Sequence, residues 1–241
     1  MERCDFLPVS AEEMHERGWW WYDALVVGGD AYVDHPSFGT AVISRVLEAE
    51  GLRVAVLAQP DWHDAEAFRA MGRPRLGVFI GAGNLDSMVA HYTAAKRRRS
   101  EDFYSPGKRS GCRPDRAAIV YCNRAREAFG PDMPIILGSL EASLRRFAHY
   151  DYWDDSVRRA ILFDAPADLL VYGMGEAATI EIAHRLKKKQ SVRTMTDIPG
   201  TGYITRDPSV CKFDHITLPS FEDVRDDKRL YAEATRTEYA E

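Results

Sequence analysis

The chain has 241 residues, with 32 basic and 37 acidic side chains and a net charge of −5. Its 45% apolar and 29% charged content is that of a folded protein with a sizeable core, one domain or one domain with extensions. That balance excludes a disordered chain and a globally basic nucleic-acid binder, but leaves room for a local basic patch.

Residues 1–22 are polar and end in the aromatic cluster Trp19-Trp20-Trp21-Tyr22. These rings are costly to leave bare and are expected to cover the sheet or meet a partner. DALVVGGD, residues 23–30, reads as a buried strand running into glycines. Residues 38–50 read as a helix, with Val42, Ile43, Val46 and Leu47 at helical spacing and Gly51 at its end. Residues 53–59 are a second strand, 64–71 a short helix, and 76–84 a third strand entering the turn GAGN. Residues 92–114 are charged and turn-rich and read as an inserted loop. A helix follows over 115–129. A fourth strand and a loop containing GSLEAS fill 133–143, and a polar-aromatic loop covers 147–159. Residues 167–176 give a fifth strand ending in GMGE, and 176–189 an amphipathic helix with a basic last turn. Beyond 190 the pattern allows one or two short strands and a tail helix.

Five strands alternating with helices predict an α/β fold: a doubly wound, mainly parallel five-stranded sheet of flavodoxin-like order 2-1-3-4-5, with inserted loops and a C-terminal extension. The expected division is an N-terminal extension over 1–22, the α/β domain over 23–190, and a C-terminal extension over 191–241. Ligands in such sheets sit beyond the carboxyl ends of the strands. The loops GGDAYVDHPSFG, QPDWHD, GAGN, GSLEAS and GMGE are therefore expected to crowd one edge.

The richest of these loops carries Gly29, Asp30, Asp34, His35, Ser37 and Gly39. Glycines let backbone approach a ligand or turn sharply. Ser37 is placed to cap the following helix. Asp30, Asp34 and His35 are able to bind a metal, orient a ligand or exchange a proton, or to tie the loop together by hydrogen bonds. A second patch holds His149, Asp151, Tyr152, Trp153, Asp154 and Asp155, suited either to a polar ring-bearing ligand or to packing. Gly173 lies in the last glycine turn. Glu141 and Glu176 end loops at the same edge, as ligand contacts or as carboxylates favoured at a helix start. GGDAYVDHPSFG lacks G-x-G-x-x-G at the strand–helix junction and lacks G-x-x-x-x-G-K-[ST], which argues against nicotinamide and nucleoside-triphosphate enzymes.

Lys96, Arg97, Arg98 and Arg99, with Lys108, Arg109 and Arg113, surround Tyr92, Phe103 and Tyr104. This reads as a solvated charged loop or as a site for single-stranded nucleic acid. The longest apolar runs, such as 24–27 and 134–137, are strand-sized against the roughly 20 residues of a spanning helix. No signal-peptide core precedes them, so a cytosolic chain without membrane contact is expected. Cys4, Cys112, Cys122 and Cys211 are far apart, without C-x-x-C or C-x-x-x-C-x-x-C spacing. Reduced thiols follow, with no metal site and no catalytic residue assigned within the chain.

Several long stretches, FLPVSAEEM, GDAYVDHPSFG, AQPDW, GAGNLDSMV, RPDRA, ILGSLEASLRRFAHYDYWDDSVRR and ADLLVYGMGE, resemble the N-terminal part of YgiQ-type radical S-adenosylmethionine proteins. The resemblance runs from Phe6 to His184. It implies a cobalamin-binding-like, Rossmann-like domain followed by a barrel whose C-x-x-x-C-x-x-C thiolates hold a [4Fe–4S] cluster that binds S-adenosylmethionine. No such triplet occurs before Glu241, so the resemblance implies an N-terminal part without its catalytic barrel, inactive in radical chemistry by itself. Cobalamin is a possible ligand. The base-off pattern D-x-H-x-x-G appears only as Asp34-His35-Pro36-Ser37-Phe38-Gly39, with Asp and His adjacent. Gly138-Ser139 stands where such domains present a glycine pair.

The leading expectation is a ligand- or substrate-binding domain that docks on the barrel of the same protein. The alternatives are a purely structural docking module without ligand, and a metal-dependent hydrolase using Asp30, Asp34 and His35. A hydrolase lacks a G-x-S-x-G elbow here.

Overall fold

In the computed structural model, residues 6–240 are described; Cys4 and Glu241 lie outside them. The elements in chain order are α1 (Ala11–Glu16), β1 (Ala24–Gly28), α2 (Gly39–Ala49), β2 (Val54–Ala58), α3 (Glu66–Ala70) and β3 (Gly77–Gly81). Then come α4 (Ser87–His91), α5 (Ala117–Phe129), β4 (Ile135–Leu137), α6 (Ser139–Leu144), β5 (His149–Asp151) and β6 (Ser156–Arg158). The chain closes with β7 (Leu169–Val171), α7 (Glu176–Lys187), β8 (Thr201–Gly202), α8 (Phe221–Asp226) and α9 (Lys228–Ala240).

The main sheet has the order β2-β1-β3-β4-β7-β8. Its first five strands are parallel and follow the expected 2-1-3-4-5 order. The expected strand number is corrected from five to six, because β8 pairs antiparallel with the outer edge of β7. A two-residue strand without apolar alternation leaves no periodic signal.

Side chains alternate across the sheet and build one core on each face. Leu25, Val27, Val78, Ile80, Ile135, Leu137 and Leu170 pack with Phe68 of α3 and with Tyr121 and Phe129 of α5. Val26, Val54, Val56, Phe79, Ile136, Leu169 and Val171 pack with Leu47 of α2 and Ile182 of α7. Trp21 lies between the Arg53 and Arg75 guanidiniums, 4.0 and 3.5 Å from its ring centre, while Trp20 is exposed.

Two stretches expected as loops are regular. GSLEAS forms the start of α6, and the 147–159 stretch forms the β5–β6 hairpin, paired His149↔Arg158, Tyr150↔Val157 and Asp151↔Ser156. Charge, not hydrophobicity, fixes this hairpin. Arg116 Nη2 lies 2.8 Å from Asp151 and 2.7 Å from Asp154, and Arg158 reaches Asp154 and Asp164. Helix α4 is a single capped turn, with the Asp86 carboxylate accepting from the Met88 and Val89 amides.

The 92–114 insert is irregular, as expected, but it is bolted to the sheet. Arg113 is fully buried, with Nη1 2.9 Å from Asp30 and Nη2 2.9 Å from Asp102. Nη1 also donates to the Ala82 carbonyl at 3.3 Å. Asp102 accepts from the Tyr104 amide and the Ser105 hydroxyl, and Gln59 Nε2 donates to both Ser105 Oγ and the Gly29 carbonyl. Arg113→Met leaves two carboxylates buried without their cation. The expected loss is about 3–5 kcal/mol of unfolding free energy in urea titration; a loss below about 1 kcal/mol refutes this role.

The hairpin predicts an acid dependence. Burial pushes the Asp151 carboxyl up, but the Arg116 guanidinium and the Asp154 and Trp153 amides outweigh it and hold it down at about 2. The stabilisation is therefore present above the unfolded value, about 3.9, and is lost as pH falls through the folded one. Asp151→Asn is expected to cost about 1 kcal/mol at pH 7. The gap from wild type should shrink as pH falls below about 4 and be gone only below about 2; a gap that stays constant with pH contradicts the assignment.

Candidate functional site

Because five strands are parallel, the loops after β1, β2, β3, β4 and β7 emerge at one edge. On the face covered by α2 and α7 this edge opens into a cleft of about 310 Å³. Val26, Phe79, Ile136 and Val171 form its floor, and Thr40, Ile43 and Thr179 its walls. Its mouth is rimmed by six glycines, Gly39, Gly81, Gly83, Gly138, Gly173 and Gly175, with Pro36, Ser139, Met174 and Glu176 between them. The arrangement is an apolar slot under a rim of accessible backbone, suited to a flat ring carried on a polar chain.

Of the residues expected at a site, Gly39, Gly173 and Glu176 line this cleft. Gly29 is used for packing: a Cβ there would lie 1.9 Å from the Ala82 carbonyl oxygen. Asp30 is buried against Arg113 and also accepts from the Asn84 amide at 2.7 Å. Burial pushes its carboxyl up against the pull of Arg113. Asp34 turns back onto Arg45 of α2, accepting from Nε at 3.0 Å. Both carboxylates are thus committed to guanidiniums, which leaves neither as the free base that metal-dependent hydrolysis needs.

His35 is exposed, and its Nδ1 accepts from the Ser37 amide at 3.1 Å. That bond puts the ring proton of a neutral imidazole on Nε2. Ser37 does not cap α2. The N-cap is Phe38, which makes no side-chain cap bond, and the Asn84 side chain does the work instead, accepting from the Gly39 amide at 3.4 Å and donating to the Ser37 carbonyl at 2.9 Å. Asn84 carried no periodic or motif signal of its own beyond its place in GAGN.

Glu141 is buried under α4 and α5, accepting from the Ser87 amide at 2.9 Å and the Ala118 amide at 3.1 Å. It joins two helix starts rather than facing the cleft. Burial, with Asp86 nearby, pushes its carboxyl up. Ser139 lies on the cleft rim at φ +75°, where a side chain is strained. Its hydroxyl accepts from the Ala82 amide at 3.1 Å, a bond that a glycine could not make.

His149 and Asp151 are not in this cleft. They line a separate hollow of about 490 Å³ with Asp86, Tyr92, Arg99, Arg145, Tyr152 and Trp153. Burial pushes the His149 imidazole down. The edge therefore carries two concavities where one was expected, because the α6–hairpin segment separates the patches.

Among the described residues no three His, Cys, Asp or Glu side chains gather as a metal site. Cys122 is fully buried and its thiol is pushed up by burial. Cys112 and Cys211 are half-buried and lie in separate segments, so the described thiols do not fit an iron–sulfur cluster. No described helix is long and apolar enough to cross a membrane.

A UPF0313 protein of Clostridium botulinum strain 657 is 54% identical over 241 residues, covering 100% of this chain and 37% of its own length. One from Clostridium perfringens strain SM101 is 52% identical, covering 100% of this chain and 36% of its own. The chain thus spans little more than a third of the curated relatives it matches. Among solved structures, the radical S-adenosylmethionine methyltransferase TsrM from Kitasatospora setae, with cobalamin and [4Fe-4S] cluster bound, is similar at a TM-score of 0.49 and 19% identity, over 76% of this chain and 27% of that one. The family profile described as radical SAM N-terminal matches residues 6–241, and the chain belongs to that family.

Proposed function

We propose that this chain is the ligand-binding domain of a radical S-adenosylmethionine protein, and that its cleft takes the nucleotide tail of a corrinoid. The observation that carries the reading is the apolar slot between α2 and α7, open at the carboxyl edge under six rim glycines. Val26, Phe79, Ile136 and Val171 would hold the flat base of the tail by burial. The glycine turns let the connecting ribose-phosphate chain run close to backbone amides. A bound corrinoid supplies a cobalt centre able to carry a methyl group. His35 serves the loop instead of the cobalt, since its Nδ1 already accepts from Ser37.

The same edge would dock on the remainder of the protein, where the cluster and S-adenosylmethionine reside. Met174 at 87% exposure and Val33 leave apolar surface there for a partner domain. A docking module without ligand is the second reading, and those exposed side chains favour it.

Titration of the full-length protein with hydroxocobalamin separates the two. Binding in the cleft should change the visible spectrum of the corrinoid and raise the melting temperature. Ile43→Trp, which fills the slot from its α2 wall, should weaken binding at least about tenfold. No spectral change and no thermal shift in folded protein overturns the corrinoid reading and leaves docking.

A further inference from the structure

The 92–113 segment concentrates positive charge on an otherwise acidic protein. Lys96, Arg97, Arg98, Arg99, Lys108 and Arg109 are exposed there, against one exposed carboxylate, Glu101. The remaining charges, Arg113 and Asp102, neutralise each other inside. Arg97, Arg98, Lys108 and Arg109 have no carboxylate partner among the described residues. Isolated cations held together at a net charge of −5 repel one another and attract a polyanion.

Aromatic rings are interleaved with these cations. Phe103 is 73% exposed, with the Lys108 ammonium 4.9 Å from its ring centre. Tyr92 and Trp153 lie 4.2 Å apart between ring centres, and Lys96 Nζ sits over Tyr152 and Trp153 at 5.2 and 5.6 Å while donating to the Trp153 carbonyl. The insert and the hairpin are thereby held as one surface.

The shape is a groove. A hollow of about 620 Å³ is lined by Arg97, Arg98, Arg99, Phe103 and Tyr104. It shares Val89, Thr93 and Arg99 with the aromatic hollow of about 490 Å³ that holds Tyr92, Tyr152 and Trp153. Cations track phosphates, and exposed rings stack on bases whatever their sequence. A duplex hides its base faces, and a lipid surface gives flat rings nothing to stack on. We propose that this groove binds single-stranded nucleic acid along the insert–hairpin surface. It lies outside the α2–α7 cleft and does not depend on the corrinoid reading.

Fluorescence anisotropy of the full-length protein with labelled mixed-sequence 12-mers tests it. Arms use single-stranded RNA, single-stranded DNA, an RNA duplex of the same sequence, and vesicles containing phosphatidylserine. Single strands should bind tighter than the duplex, with affinity falling as salt rises at a log–log slope of about −3 for four engaged phosphates. Tighter RNA than DNA binding identifies RNA as the natural source; equal binding identifies single strands in general.

Arg97→Glu with Arg98→Glu should weaken binding at least about tenfold and flatten the salt slope by about 1.4. Phe103→Ala should weaken it by about 5- to 150-fold, the range of one stacked base. Lys188→Glu with Lys189→Glu, at the end of α7, should change nothing, and circular dichroism checks that each variant is folded. Equal duplex and single-strand affinity, insensitivity to Phe103→Ala, or binding to vesicles without binding to single strands overturns the proposal.

Discussion

The carboxyl edge is organised around one buried cation. Arg113 has five N–H donors and no access to water. Asp102 receives a pair of them, from Nε and Nη2, both at 3.1 Å. The rest of the guanidinium meets Asp30 and the Ala82 carbonyl. The desolvation cost of such a group is several kcal/mol, and it is offset only when nearly every donor is matched. A half-formed arrangement is therefore worse than none, so the end of β1, the end of β3 and the insert must assemble together. The second glycine of GAGN follows from the same constraint. A side chain at Gly83 would lie 2.3 Å from Asp30 and 2.9 Å from Arg113, and φ there is +109°. Gly83 is a glycine required by packing around an ion cluster.

That constraint explains what could be read from the sequence and what could not. The five parallel strands were legible because each is a short apolar run buried on both faces, and the helices α2, α5 and α7 because they are long enough to show a period. Helix α4 has five residues and each strand of the hairpin three. Elements of that length are set by Asp86, Asp151 and Arg116, whose partners are capping amides or distant charges, so no local pattern announces them.

The site divides in the same way. Gly39, Gly173 and Glu176 follow from topology alone, since a strand end in a parallel sheet has only one place to be. Asp30, Asp34 and Glu141 share that edge yet point into the protein. Residue type cannot tell a carboxylate that meets a ligand from one that meets a guanidinium. The partner of Asp30 is 83 residues downstream, inside a segment that reads as solvated. Ser139 is a further case: its left-handed backbone argues for glycine, and only the bond to the Ala82 amide explains a hydroxyl there.

The two halves of the edge thus have opposite chemistry on one scaffold. Beside α2 and α7, apolar strand ends and bare backbone suit a ring that must be buried. Beside α4 and the hairpin, cations and half-exposed aromatics suit a chain of charges that stays wet. Helices α8 and α9 are tied to the second half. Tyr231 of α9 accepts from the Tyr150 amide at 3.0 Å, Glu238 meets Arg146 at 2.9 Å, and Glu222 of α8 meets Arg159 at 2.9 Å. Polar contacts within reach of water contribute little each, and buried Val224 of α8 adds an apolar anchor, so these two helices rest on the hairpin segment.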